Sequence, residues 1–377
     1  MRQQLTNGLS GRESWMSPHS TFSDSTPSTS PTPRGRRRSR SRSRRRLTVA
    51  LGTLAAGALT ASALAVSAQA APEQSHEAKA AAPSGLNGPY LYLGWGNPPD
   101  PVSFMEETGT KQLTMAFILS DGGCSPAWDG QRPLAGGQDE QAIKAIQQAG
   151  GDVTPSIGGW SGNKLGEACS SAEDLAGAYQ KVIDAYGLKS IDIDIEASEV
   201  ENAEVRQRVI DALKIIKDSN EGIKVYVTFG TTPQGPNENG KDLITKGAEA
   251  GLDVDAWTIM PFDFGDGTTD MVAATKSAVD GLKDQVKAAY GLSDEEAYHK
   301  SGLSSMNGKT DQQGEEVSAA GFQEIVDDAK AKGLSRVSFW AVNRDRSCEG
   351  GGSPGDSCSG IDQQEWEFSK ILAGYGG

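Results

Sequence analysis

An alternating run of carboxyl groups and isoleucines is the feature of this sequence best suited to chemistry. From Ser190 the order is Ser-Ile-Asp-Ile-Asp-Ile-Glu-Ala, so that Asp192, Asp194 and Glu196 occupy every second position. Alternate residues of a β-strand point to the same face, roughly 7 Å apart. No Lys or Arg lies within the run, so repulsion should raise the pKa of at least one carboxyl group. An acid that stays protonated near neutral pH can act as a general acid.

Two other interpretations of this run are a solvated edge strand and a metal site. Isoleucine at each alternate position, together with Val182, Ile183 and Leu188 upstream, favours an inner strand whose apolar face is covered by a helix. Carboxylates also bind hard cations, so on the run alone a metal-dependent hydrolase stays an alternative to acid–base catalysis.

Histidine is scarce, and this narrows the chemistry. The chain has three, and only His299 lies beyond the N-terminal hundred residues. A Ser-His-Asp triad and a His-ligated zinc are therefore disfavoured. We expect no cofactor and no metal, and chemistry that depends on carboxyl groups.

The four cysteines predict two disulfide bonds, because an even count in an exported chain is typical of a disulfide framework. Cys348 and Cys358 are close in sequence and predict a local bridge, which leaves Cys124 with Cys169. Zinc is the competing interpretation, but no CxxC spacing is present.

The N-terminal part predicts export rather than a fold. Residues 1–70 comprise a Ser/Thr/Pro-rich lead, an Arg/Ser run and the apolar stretch Leu47–Val66, followed by Ala68-Gln-Ala70. This order is typical of a disordered basic lead and a secretory signal peptide; an uncleaved membrane anchor is the alternative. Residues 71–89 predict an Ala-rich linker, and residues 90–377 a single catalytic domain.

Cleavage after Ala70 would change the charge. It leaves 25 of the 36 basic and 48 of the 50 acidic residues, a net charge of −23. We expect a secreted, extracellular monomer that binds neither nucleic acid nor, stably, a membrane.

Apolar strand patterns alternate with amphipathic helical patterns from Tyr90 onward. The predicted strands are Leu91–Trp95, Leu113–Leu119, Val153–Ile157, Ile191–Ile195, Val225–Phe229, Trp257–Phe262, Gly302–Met306 and Val337–Val342. The predicted helices are Val102–Thr108, Glu140–Gln148, Ala172–Tyr186, Ala203–Lys217, Leu243–Ala250, Met271–Tyr290, Gly321–Lys332 and Gln363–Leu372. Eight such units predict an α/β fold, the (β/α)8 TIM barrel. A doubly wound sheet is the alternative, but no Gly-rich phosphate turn follows the first strand.

In a barrel the functional groups lie at the carboxyl ends of the strands. Glu196 would then lie at the mouth, with Asp194 and Asp192 below it. Trp340 in strand eight and Trp95 at the end of strand one offer flat apolar surfaces for a sugar ring, although core packing is the commoner role of Trp.

Four segments match the motifs of one enzyme family, in order and on the corresponding strands. They are Ser156-Ile-Gly158-Gly159 (SxGG), Asp192-Ile-Asp194-Ile-Glu196 (DxDxE), Met260-Pro-Phe262-Asp263 (MxYD) and Trp340. Over residues 90–375 the chain resembles glycoside hydrolase family 18, the chitinase family.

This resemblance implies substrate-assisted, retaining cleavage of β-1,4 bonds in an N-acetylglucosamine polymer or oligomer. Glu196 would be the general acid and base, Asp194 would orient the 2-acetamido group, and Asp192 would share charge and protons with Asp194. It also implies that substrate is bound by a further set of residues: Trp340, Asp263, Met260, Phe262, Ser156 and Trp95.

The sequence departs from the family pattern twice. Lys189-Ser190 replaces Asp-Gly at the start of strand four, and Phe262 replaces a Tyr whose hydroxyl binds the acetamido group. The second change puts the rate and the substrate preference in question. An endo-β-N-acetylglucosaminidase acting on N-glycans and a catalytically silent chitin-binding lectin are the alternatives on the same barrel.

Overall fold

Eight parallel strands form the centre of the structure, which is a computed structural model that describes residues 87–349 and 355–375. In chain order we number them as follows: β1 Tyr90–Tyr92, β2 Gln112–Ser120, β3 Asp152–Gly158, β4 Ser190–Asp194, β5 Lys224–Gly230, β6 Ala256–Met260, β7 Ser301–Met306 and β8 Arg336–Trp340. Each strand pairs in parallel with the next, from β1 through to β8. All eight predicted strands are present, within a few residues of their expected bounds.

The barrel is nearly closed between β8 and β1. The backbone N–H of Val337 donates to Asn87 Oδ1 at 2.8 Å, and Ser338 Oγ donates to the carbonyl of Gly88 at 2.8 Å. These bonds bring the last strand beside the segment that leads into the first. The predicted (β/α)8 barrel is therefore confirmed.

One main helix follows each strand and covers the outside of the barrel. They are α1 Pro101–Thr108, α2 Gln138–Gln148, α3 Ala172–Tyr186, α4 Ala203–Ser219, α5 Glu238–Glu249, α6 Met271–Tyr290, α7 Ala319–Lys332 and α8 Glu367–Ala373. Short helices that the sequence did not predict lie at Leu165–Ala168, Ala197–Glu201 and Asp294–His299, and small antiparallel pairings involve Pro126–Trp128 with β2 and Gly308–Lys309 with Glu316–Val317.

Helix α3 shows how local chemistry places these elements. Ser171 Oγ accepts from the N–H of Asp174 and caps the first turn, and Gly187 ends the helix in the left-handed region with φ 61°. The helix buries Val182 fully in the same core cluster as Ile191 and Ile193 of β4. The predicted cover over the isoleucine face is therefore present.

Two disulfide bonds join the pairs expected from the sequence, Cys124 with Cys169 and Cys348 with Cys358. The predicted lead, signal peptide and most of the linker lie outside the described residues. Within the described ranges, no helix has the length and apolar character needed to cross a membrane.

Candidate active site

Asp192 lies in the barrel lumen and is completely surrounded by donors. Its Oδ2 accepts from the hydroxyls of Tyr90 at 2.8 Å and Ser156 at 2.7 Å. Its Oδ1 accepts from Thr228 Oγ1 at 2.7 Å and from Arg336 Nη1 at 2.5 Å. The side chain is fully buried. Four donors fill the acceptor capacity of an ionised carboxylate, so this arrangement holds Asp192 in one orientation.

Arg336 is the cation that the sequence analysis missed. It starts β8, is fully buried, and also donates to Thr228 Oγ1 at 2.9 Å. Its guanidinium carbon lies 4.8 Å from the ring centre of Tyr226 and 5.9 Å from that of Tyr90. Strand alternation places Arg336 on the same face as Ser338 and Trp340, and this was the available signal.

Asp194 lies two residues after Asp192 on β4, next to the turn at the end of β3. The Gly159 N–H donates to the Asp194 carbonyl at 2.8 Å. A Cβ on Gly158, whose φ is 119°, would lie 2.1 Å from that carbonyl oxygen, so only glycine fits there. Burial raises the pKa of the Asp194 carboxyl well above its usual value, and the charges of Glu196 and Asp192 add to this shift. Its Oδ1 has no hydrogen-bond partner among the described residues.

Glu196 is not part of β4, which ends at Asp194 rather than at the predicted Ile195. It precedes the short helix Ala197–Glu201 with extended backbone, φ −134° and ψ 174°. The Ile195 N–H still bonds to the Thr228 carbonyl at 2.8 Å, so the alternation continues and Glu196 follows Asp194 on one face. Burial raises the pKa of Glu196 to about 7; Lys164 opposes this shift and Asp263 adds to it. The group can therefore hold or release a proton near neutral pH.

An aromatic cluster lines the barrel mouth next to the carboxyl groups. The half-buried ring of Trp340 stacks on Phe117 with centres 5.5 Å apart, and meets Tyr90 edge-on at 5.9 Å. The Tyr90 hydroxyl also donates to Asp192, so a direct hydrogen bond links the aromatic cluster to the carboxyl groups. The peptide bonds Ala116–Phe117 and Trp340–Ala341 are cis.

Trp95 lies beyond β1, which ends at Tyr92, so its predicted place within the strand was wrong. The chain bends after Tyr92, where Asn343 Nδ2 donates hydrogen bonds to the carbonyls of Tyr92 at 2.8 Å and Trp95 at 3.0 Å. The indole is 49% exposed and lies edge-on to the Tyr92 ring at 4.9 Å. Trp160, which follows the Gly158-Gly159 turn, is 72% exposed.

The end of β6 contributes three of the predicted substrate-binding residues. Met260 is buried, and Phe262 is half-buried against the main apolar core. Asp263 adopts a left-handed backbone conformation, φ 52°, and its Oδ1 accepts from the Asp311 N–H at 2.9 Å. Burial raises the pKa of Asp263. These residues lie where the barrel places functional groups, and their contact with a substrate stays a prediction.

The carboxyl groups are not arranged to bind a cation. Asp192 is surrounded by hydrogen-bond donors and one guanidinium, which compete with a metal for the same lone pairs. Within residues 87–349 and 355–375, no three His, Cys, Asp or Glu side chains converge as metal ligands.

Known proteins resemble this chain in sequence and in structure, although no protein-family model matches it. The probable bifunctional chitinase/lysozyme of Escherichia coli is 26% identical over 314 residues, which are 78% of this chain and 35% of that protein. Endochitinase 11 of Metarhizium anisopliae is 27% identical over 284 residues, 71% of this chain and 54% of that protein. The chain thus spans about a third and about half of the length of these two relatives.

The crystal structure of the catalytic domain of a hyperthermophilic chitinase from Pyrococcus furiosus superimposes with a TM-score of 0.70 at 28% identity. The match covers 78% of this chain and 97% of that domain. The barrel, the carboxyl groups along β4 and these similarities show that the chain resembles the chitinases of glycoside hydrolase family 18 in sequence and in fold.

Proposed function

We propose that this chain is a secreted chitinase that hydrolyses β-1,4 bonds between N-acetylglucosamine units with retention of configuration. One observation carries the proposal: Glu196 lies at the barrel mouth with a pKa raised to about 7, directly above Asp194 and the fully bonded Asp192. The similar proteins of Escherichia coli, Metarhizium anisopliae and Pyrococcus furiosus are named as chitinases, which supports the same substrate class.

In the proposed first step, Glu196 gives its proton to the glycosidic oxygen as the bond from that oxygen to the anomeric carbon breaks. The oxygen of the sugar's own 2-acetamido group forms the new bond to the anomeric carbon, and an oxazolinium ion results. No protein nucleophile is required, which makes this chemistry an exception to the usual two-carboxylate scheme. In the second step Glu196 takes a proton from water, which attacks the same carbon and regenerates the acetamido group.

Asp194 would hold the acetamido group in position. Its Oδ1 is buried and without a partner among the described residues, so a substrate N–H would satisfy an otherwise costly acceptor. Negative charge at Asp194 would stabilise the oxazolinium ion. Burial and the charges of Glu196 and Asp192 raise the pKa of Asp194, so its negative charge is favoured most when the positive oxazolinium ion lies beside it.

Asp192 would act by fixing its neighbours. Tyr90, Ser156, Thr228 and Arg336 bind both oxygens of Asp192, which holds this carboxyl group in one orientation beneath Asp194. The sharing of charge and protons between Asp192 and Asp194, which the resemblance implies, stays a prediction.

Trp340 would support the sugar ring beside the acid. Its ring is fixed by Phe117 and Tyr90, which gives a rigid apolar surface without a large loss of side-chain entropy on binding. Phe262 lacks the hydroxyl that the family's Tyr supplies to the acetamido oxygen. Losing one such donor costs about 1.5–3 kcal/mol of transition-state stabilisation unless another group replaces it.

Secretion is part of the proposal and rests on the sequence of residues 1–70. The two disulfide bonds are consistent with an oxidising compartment. Export is tested by the N-terminal sequence of the protein recovered from the culture medium, which we expect to begin at Ala71. The intact N-terminus on a membrane-bound protein would contradict it.

The mechanism is tested by following the anomeric configuration of the first products from soluble N-acetylglucosamine oligomers by proton NMR. We expect the β-anomer to appear first and to equilibrate later. Initial formation of the α-anomer would refute substrate assistance. Absence of cleavage together with tight binding would indicate a lectin, and cleavage of N-glycans instead would indicate an endo-β-N-acetylglucosaminidase.

A further inference from the structure

Lys164 is a buried cation on the connection between β3 and α3. The residue is 2% exposed, and its Nζ donates to the carbonyls of Gly159 and, at 2.8 Å, of Ser161. No carboxylate of the described residues forms an ion pair with it within 4.0 Å. A buried ammonium group without an ion pair is costly unless negative charge nearby compensates it.

The compensating charge comes from the active-site carboxyl groups. Burial lowers the pKa of Lys164, and Glu199, Asp194 and Glu196 oppose that shift, with a smaller effect from Glu167. None of these four groups uses Lys164 as a hydrogen-bond donor, so their influence is exerted by charge through a poorly solvated region. The interaction is therefore stronger than it would be at the surface.

Glu199 is a second buried acid in this region, to which the proposed mechanism assigns no step. It is 3% exposed, and its Oε1 accepts from the Gly166 N–H at 3.1 Å, while Oε2 has no partner among the described residues. Burial raises the pKa of Glu199 to about 7, Lys164 and the Gly166 N–H oppose the shift, and Glu167 adds to it. The Lys164 ammonium thus lies among groups that would otherwise repel one another.

The hydrogen bonds of Lys164 also fix the turn that borders the barrel mouth. Gly159 packs on the Phe117 ring, where an added Cβ would lie 3.0 Å away, and its N–H holds the Asp194 carbonyl. Trp160 follows directly and is exposed. Lys164 binds the carbonyls of the residues before and after Trp160. The orientation of that indole therefore depends on the same side chain that interacts with the charges of Glu196 and Glu199.

We propose that Lys164 is a positioning residue of this active site: its ammonium group controls how readily Glu196 releases its proton and fixes the turn that presents Trp160. The inference deepens the proposed function and relies on it for the activity readout alone.

The other charges around Glu196 and Glu199 do not replace Lys164. Asp263 faces Glu196 and acts in the same direction as burial, and the phenol of Tyr179 lies within the influence of Glu199. Arg336 acts on Asp194, where Asp192 opposes it. At Glu196, Lys164 is the cation that opposes burial.

The first test is the pH dependence of kcat/KM for soluble N-acetylglucosamine oligomers. In Lys164→Met the alkaline limb should move upward by about one pH unit, because a nearby positive charge that favours the ionised acid is gone. Lys164→Arg keeps the charge and should leave the limb close to that of the wild type. The matched control Lys144→Met removes an exposed lysine of α2 and should change nothing. A loss of activity that is equal at every pH would reduce Lys164 to a structural role and overturn the proposal.

The second test needs no activity and therefore separates this inference from the proposed function. Lys164→Met should lower the unfolding temperature more at pH 8 than at pH 5, because Glu196 and Glu199, whose pKa values are raised to about 7, are mostly ionised at pH 8 and mostly protonated at pH 5. Adding Glu199→Gln should restore part of the loss at pH 8. If Lys164→Met does not fold, Lys164→Gln is compared in the same way. Strict additivity of the two changes, or a loss independent of pH, would overturn the proposal even if the wild type hydrolyses the oligomers.

Discussion

Replacing Arg336 by Met should destabilise the protein far more than the loss of an ordinary hydrogen bond. The two side chains of the Arg336–Asp192 pair are fully buried, and their atoms lie 2.5 Å apart. Met fills much of the space of the aliphatic part of Arg but leaves Asp192 as a buried carboxylate with three hydroxyl donors. Removing one member of a buried ion pair costs about 3–5 kcal/mol, and we expect a loss of that size in the free energy of unfolding.

The assay is urea-induced unfolding followed by both circular dichroism and tryptophan fluorescence, whose transitions should coincide if unfolding is two-state. The control is the double variant Arg336→Met with Asp192→Asn, which removes the unpaired charge as well. Its cost should be about 1–3 kcal/mol less than the sum of the two single changes. A loss below about 1 kcal/mol for Arg336→Met, or simple additivity, would refute the view that this ion pair organises the lumen.

Three further predictions concern the mouth of the barrel. Ser156→Ala removes a buried donor to Asp192 and should cost about 1–3 kcal/mol of stability in the same unfolding assay; an unchanged midpoint would contradict this. Trp160→Ala should alter stability by less than about 0.5 kcal/mol because the indole is exposed, yet should raise KM for long oligomers more than for short ones; equal KM changes would contradict a role in binding. The raised pKa values of Asp194, Glu196 and Glu199 mean that the folded state binds protons more tightly than the unfolded state. Their contribution to stability is therefore complete below the ordinary carboxyl pKa and falls as the pH rises, and for Glu196 and Glu199 this fall extends through about pH 7. A thermal unfolding series should show a higher midpoint at pH 5 than at pH 8, and a midpoint that rises over this interval would contradict the assignment.

The strands and the line of carboxyl groups could be predicted because they follow from short-range periodicity. Ile191 and Ile193 alternate with Asp192 and Asp194, and that pattern specifies both a strand and which side chains share a face. The boundaries were less certain. The chain leaves β4 after Asp194 and β1 after Tyr92, where hydrogen bonds from distant residues decide the backbone path.

The two cations could not be predicted in the same way because they are remote in sequence. Arg336 is 144 residues from Asp192, and no local pattern specifies which strand faces which across a barrel lumen. Its inward register on β8 was visible, but its partner was not. Lys164 lies in a connection without periodicity, and only the folded chain shows that it is buried beside Glu199.

The most direct test of the whole account is hydrolysis of soluble N-acetylglucosamine oligomers by residues 71–377, measured beside Glu196→Gln. The glutamine has the shape of the acid but no proton to give, so the account predicts clear turnover in the wild type and a loss of several orders of magnitude in the variant, with oligomer binding retained. Comparable turnover in both proteins would contradict the assignment of Glu196 as the general acid. Failure of the wild type to cleave any N-acetylglucosamine oligomer would contradict the proposed function itself.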